Sequence, residues 1–120
     1  MSGAHDFGRF CEDLACRVLV RNGWRILHRN YRLGHKEIDL IVRRAGTVAF
    51  VEVKGRTGPA FGHPLEAVTG AKRREIERVA QHWIMCHGRS GDAYRFDAIA
   101  VVRPPGEAAR LEHVEDAWRI

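Results

Sequence analysis

The run Val48-Ala49-Phe50-Val51-Glu52-Val53-Lys54 constrains this chain more than any other segment. Its β-branched and aromatic residues read as a strand buried on both faces, yet it carries a carboxylate and an ammonium two residues apart. A period of two puts Glu52 and Lys54 on one face. Upstream, Glu37 to Arg44 alternates in the same way, and Ala45-Gly46 offers a two-residue turn between the two segments. If that turn closes a hairpin, opposed residues sum to 91. Asp39 then faces Glu52, and Glu37 faces Lys54; a bulge would shift this by one residue. Directly opposed β-carbons stand about 4.5–5.5 Å apart. Two carboxylates at about 5 Å repel by roughly 3 kcal/mol at an effective dielectric near 20. Something must offset that cost. A divalent cation would do so, and oxygen ligands on rigid strands suit magnesium or manganese. Lys54 would then stand beside the ion, able to hold a water or steady charge developing on a phosphate. The alternative is a salt-bridge ladder across an exposed hairpin face.

The rest of the chain supplies a frame for this hairpin. With 120 residues, it has room for one domain, 1–120, with a real core. Phe7, Phe10, Leu14 and Val18 form the stripe of a first helix, over Phe7 to Asn22, with a stop at Asn22-Gly23. A strand follows from Trp24 to Tyr31. After the hairpin, Arg56 to Pro64 reads as a loop rich in glycine and proline. A second helix is expected from about Leu65 to His87, with Ile76, Val79, Ala80, Trp83 and Ile84 on its apolar face. Tyr94 to Val102 is a further strand, broken by Pro104-Pro105-Gly106, and Leu111 to Val114 a short final one. The expected class is α/β: an α-β-β-β-α-β core with a mixed central sheet flanked by helices.

Composition narrows the function. Twenty basic against fifteen acidic residues give a net charge of +5, and only Lys36, Lys54 and Lys72 among the basic residues are lysines. Arginine grips phosphate bidentately, so the bias suits a polyanion such as nucleic acid; codon composition would give the same bias without any partner. Arg56, beside the hairpin, and Lys72 and Arg73 on the second helix are the candidate nucleic-acid contacts. The longest plain apolar run, Ala98 to Val102, is far too short for a membrane span, and Met1 to Phe10 lacks a signal-peptide pattern. Three cysteines without C-x-x-C spacing indicate neither a disulfide framework nor a zinc knuckle, so a reducing cytoplasm is expected. The seven histidines show no zinc-ligand spacing. Trp24, Trp83 and Trp118 read as core. An exposed patch including Trp118 would instead favour an adaptor that docks another protein. Asp97, in a strand, is either a core hydrogen-bonding group or a bystander. Glu12 lies at the edge of the first helix's apolar stripe, from where it could point at the hairpin site as a further ligand.

Glu37-Ile38-Asp39-Leu40-Ile41, followed by Phe50-Val51-Glu52-Val53-Lys54-Gly55-Arg56, resembles the YraN-like uncharacterised bacterial family. Gly8 and Glu12, Gly23-Trp24, Arg29-Asn30-Tyr31-Arg32, Phe61-Gly62, Glu66-Ala67-Val68, Lys72 and Arg95-Phe96-Asp97 extend the likeness over nearly the whole chain. The resemblance implies a restriction-endonuclease-like PD-(D/E)xK fold, similar to archaeal Holliday junction resolvases. It further implies Asp39 and Glu52 as metal ligands, Lys54 as the catalytic lysine, Glu12 as a helix carboxylate on the metal and Glu37 as an auxiliary acid. The expected activity is a magnesium- or manganese-dependent endonuclease acting on DNA, branched DNA included, as a homodimer. The alternative is a nucleic-acid-binding module of the same fold that does not cleave. Two positions depart from the family pattern: Cys11 and Lys36 stand where glycine is usual.

Overall fold

The computed structural model describes residues 3–57 and 68–119. Helix α1 spans Gly3–Arg21, followed by strands β1 (Arg25–Leu33), β2 (Lys36–Arg44) and β3 (Thr47–Arg56), helix α2 (Gly70–His87), and strands β4 (Ala93–Val102) and β5 (Arg110–Trp118). The five strands form one sheet in chain order. β3 and β4 run parallel and every other neighbouring pair is antiparallel, so the sheet is mixed. The parallel pair follows from its connection, since a crossover through a helix returns the chain in the same direction.

The expected α-β-β-β-α-β order is observed, and its boundaries move for identifiable reasons. α1 ends where expected, with Gly23 at φ 89° and the Trp24 N–H returning 2.9 Å to the Leu19 carbonyl. α2 begins at Gly70, because Thr69 caps it by accepting the Lys72 N–H at 3.2 Å. The helical start expected near Leu65 lies outside the described residues, as does the loop from Gly58 to Pro64. Arg56 is not in that loop. It closes β3, where its carbonyl accepts the Arg103 N–H at 2.8 Å. β5 runs on to Trp118 instead of ending at Val114.

Two apolar layers hold the sheet. On one face Cys11, Ala15 and Leu19, spaced four apart along α1, pack with Leu40, Val42, Ala49, Val51 and Ile99. On the other, Ile76, Val79, Ala80 and Trp83 of α2 pack with Ile41, Val48, Phe50, Phe96 and Trp118. Every residue from Val48 to Val53 is buried, as the strand's composition implies. Each large apolar side chain so buried contributes about 1.5–3 kcal/mol. The three tryptophans are all core. Trp118 is buried and stacked on Phe96 at 5.1 Å, so it is not the exposed residue that would have favoured the adaptor reading.

Cys11 has a local explanation. A side chain at Gly55 would run into the Cys11 sulfur and the Phe7 ring, so the end of β3 and α1 are packed as closely as glycine allows.

Candidate active site

The hairpin has the register that a two-residue turn dictates. Leu40 pairs with Val51, Ile41 with Phe50 and Arg44 with Thr47, with Ala45 at φ 54° in the turn. The ladder stops at Leu40–Val51. One residue further, the Asp39 carboxylate accepts the Val53 N–H at 2.8 Å. Where the backbone pairing ends, a side chain takes its place, and this leaves Asp39 and Glu52 together at the mouth of the hairpin.

Glu52 is 3% exposed, and its Oε2 has no hydrogen-bond partner among the described residues. Its Oε1 lies 3.9 Å from Lys72 Nζ, reached across from α2. Burial pushes the Glu52 carboxyl up to about 9, with the adjacent Asp39 charge and a hydrogen bond to Asp39 adding to the rise; Lys72 and Lys54 oppose it. Burial likewise raises Asp39, against the Val53 hydrogen bond and the Lys54 charge. A buried carboxyl oxygen without a donor is expensive to leave so.

The other expected residues fall into place unevenly. Lys54 is exposed just beyond Glu52, and makes no ion pair within 4 Å among the described residues. Its charge reaches both acids. Glu37 does not face Lys54, because the ladder has ended; it pairs with Arg32 at 3.0 Å instead. Glu12 approaches from α1, near enough for the Asp39 charge to raise it in addition to its own burial. Its oxygens are engaged with Asn30 Nδ2 at 3.3 Å and Arg29 at 3.6 Å. No three His, Cys, Asp or Glu side chains close on one point among the described residues, so Glu12 does not complete a three-acid cluster with the pair.

Of the expected nucleic-acid contacts, Arg56 is exposed at the end of β3. Arg73 donates to the Val68 carbonyl at 3.1 Å and lies over the Trp118 ring at 5.3 Å, a packing role. Lys72 faces Glu52. The sequence reading missed a cleft of about 460 Å³ between α1 and β1, lined by Arg9, Glu12, Arg29, Asn30, Arg32 and Glu37. Three guanidinium groups line it, of which Arg29 is paired with Asp13 and Arg32 with Glu37. The signal was present in Arg29-Asn30-Tyr31-Arg32, but assigning it a direction required the β1–β2 register. Asp97 is also now explained: it is buried and accepts from Arg95, His113 and the Asp116 N–H, a core group.

Comparison with known proteins places the chain. The model of the Uncharacterised protein family UPF0102 matches residues 11–101. A UPF0102 protein of Chloroherpeton thalassium is 47% identical over 120 residues, covering 94% of this chain and 93% of its own length. The chain belongs to the UPF0102 family. A second UPF0102 relative, from Frankia alni, is 41% identical over 111 residues, 92% of each chain. Among solved structures, the Holliday junction resolvase Hjc of Archaeoglobus fulgidus aligns with a TM-score of 0.47 and 18% identity, over 88% of this UPF0102 chain and 74% of that one. The UPF0102 match runs from Cys11 within α1 to Val101 in β4, and therefore includes both acids and Lys54.

Proposed function

We propose that this protein is a divalent-metal-dependent endonuclease that hydrolyses DNA phosphodiesters, with Asp39, Glu52 and Lys54 as its working residues. One observation carries the reading: a buried carboxyl, Glu52, and a half-buried one, Asp39, meet at the end of the β2–β3 ladder, one Glu52 oxygen without a donor among the described residues, with an exposed lysine two residues along the strand. A salt-bridge ladder does not account for this, since Glu37 pairs with Arg32 rather than Lys54 and the Glu52 carboxyl is buried.

The residues fit a hard cation. Magnesium is commonly held by only one or two carboxylates, keeping its remaining positions for water and substrate phosphate, so the Asp39–Glu52 pair suffices without Glu12. When bound, magnesium or manganese supplies a Lewis acid for a phosphoryl oxygen and lowers the pKa of a coordinated water. The chain's own contributions are positional and electrostatic. The Val53 N–H orients Asp39, and the buried strand fixes Glu52. The Lys54 ammonium, exposed at the rim, orients a water toward phosphorus and stabilises the charge that develops there. Arg56 and the guanidinium groups of the cleft hold the flanking phosphates. The family resemblance implies branched DNA as substrate and a homodimer, with one site for each strand cut.

The test is cleavage of a labelled four-way junction and a matched linear duplex with magnesium, manganese or EDTA. Wild type is compared with Glu52→Ala and Lys54→Ala. Metal-dependent cutting, lost in both variants, is the expected result. Binding of either DNA by pure wild type without any cutting would favour the non-cleaving nucleic-acid-binding module.

A further inference from the structure

Lys72 has an unfavourable address. It lies in the first turn of α2, beside Arg73 and Arg74, and that turn contains no acidic residue. The N-terminal end of a helix carries partial positive charge, so cations there are disfavoured. Arg73 is compensated by the Trp118 ring and the Val68 carbonyl. Lys72 is compensated by Glu52: its Nζ stands 3.9 Å from Oε1, with the lysine side chain 31% exposed and the glutamate 3%. α2 thus brings a cation to the acid pair, and its ion pair is with Glu52 Oε1, while Oε2 has no hydrogen-bond partner among the described residues.

We propose that Lys72 is a built-in cation at the Asp39–Glu52 pair, occupying the Glu52 side of the site when no divalent ion is bound and competing with that ion for Glu52. The inference rests on the reading of the pair as a metal site. A divalent ion on Glu52 would stand within a few ångströms of the lysine ammonium, and the two positive charges repel across a poorly screened boundary. A flexible, partly exposed lysine can leave, at a cost to metal affinity. The residue thus sets the affinity of the site while giving up none of its ligands.

The experiment is calorimetric titration of manganese, then magnesium, into wild type, Lys72→Met, Lys72→Arg, Arg74→Gln and Asp39→Ala. Lys72→Met should bind manganese about tenfold more tightly than wild type. Lys72→Arg should stay near wild type, and Arg74→Gln, which removes the same charge from the same helical turn without facing Glu52, should change affinity less than twofold. Lys72→Gln takes the place of the methionine variant if that one does not fold. Unchanged or weaker binding in Lys72→Met, or equal tightening in Arg74→Gln, would overturn the proposal. The two readings fail differently. If wild type binds metal and Asp39→Ala does not, a null effect of Lys72→Met removes only the competing cation. If wild type does not bind, or Asp39→Ala binds as well as wild type, the metal site falls and the competing cation with it.

Discussion

Two carboxyl groups are buried on the adjacent central strands of this sheet, and they are treated in opposite ways. Asp97, on β4, lies opposite Val51, one residue from Glu52 on β3. Asp97 receives two bonds from the Arg95 guanidinium at 3.0 Å each, one from His113 at 2.8 Å and one from the Asp116 N–H at 2.9 Å. These donors outweigh its burial and hold the carboxyl below its ordinary value. Glu52 has one oxygen without a partner among the described residues, a hydrogen bond to Asp39 and one lysine at 3.9 Å, and burial pushes its carboxyl up to about 9. Burial alone does not distinguish a structural acid from a functional one. The donors separate the two: the fold completes the shell of Asp97 and leaves that of Glu52 open, the difference on which the proposed role of Glu52 rests.

The largest effect expected from this contrast is at Asp97. Asp97→Ala leaves Arg95 and His113 facing an empty buried position and should cost about 3–5 kcal/mol in urea unfolding. A loss below 1 kcal/mol would show the network to be ornamental. Glu52→Gln should act in the opposite direction. In metal-free protein at pH 8 it removes a group that resists ionisation, and should stabilise by about 1–3 kcal/mol. Destabilisation of similar size would show that the site is internally satisfied after all.

The pH dependence separates the two acids again. The Glu52 carboxyl is raised from its ordinary 4.5 to about 9, so the unfolded chain ionises first. Its contribution is whole below about pH 4.5 and is lost as pH rises through 9. Asp97 is lowered from 3.8, so its contribution is whole above that pH and is lost as pH falls through its folded value. Melting temperatures of metal-free protein should therefore fall on both sides. Glu52→Gln should flatten the alkaline limb and Asp97→Asn the acid limb; the reverse assignment would break the comparison.

The smallest effect is at the turn that sets the register of the acid pair. Ala45 sits at φ 54°, where a β-carbon is strained, so Ala45→Gly should stabilise by about 0.5–1 kcal/mol in the same unfolding assay. No gain would mean that the turn relaxes at no cost.

Much of this site was legible in the sequence, because a two-residue turn and strict alternation fix a hairpin arithmetically. The sum of 91 that pairs Leu40 with Val51 follows from Ala45-Gly46 alone. Alternation cannot say where a ladder stops. The exchange of backbone pairing for the Asp39 to Val53 bond, and with it the freeing of Glu37, needed the twist of the sheet. Lys72 reads on a helical wheel as solvent-facing, since its approach to Glu52 depends on how α2 crosses the sheet. Asp97 stayed ambiguous because two of its donors come from β5, whose polar residues Glu112, Glu115 and Asp116 hid its full length.

The most direct measurement is thermal unfolding at pH 8, with and without manganese, of wild type, Asp39→Ala and Asp97→Asn. An ion bound only by the folded protein at about 100 times its dissociation constant adds about 2.7 kcal/mol. Wild type and the weakened Asp97→Asn should both gain melting temperature on adding manganese, while Asp39→Ala should not. No gain in wild type, or an equal gain in Asp39→Ala, would contradict the assignment of the Asp39–Glu52 pair as a cation site.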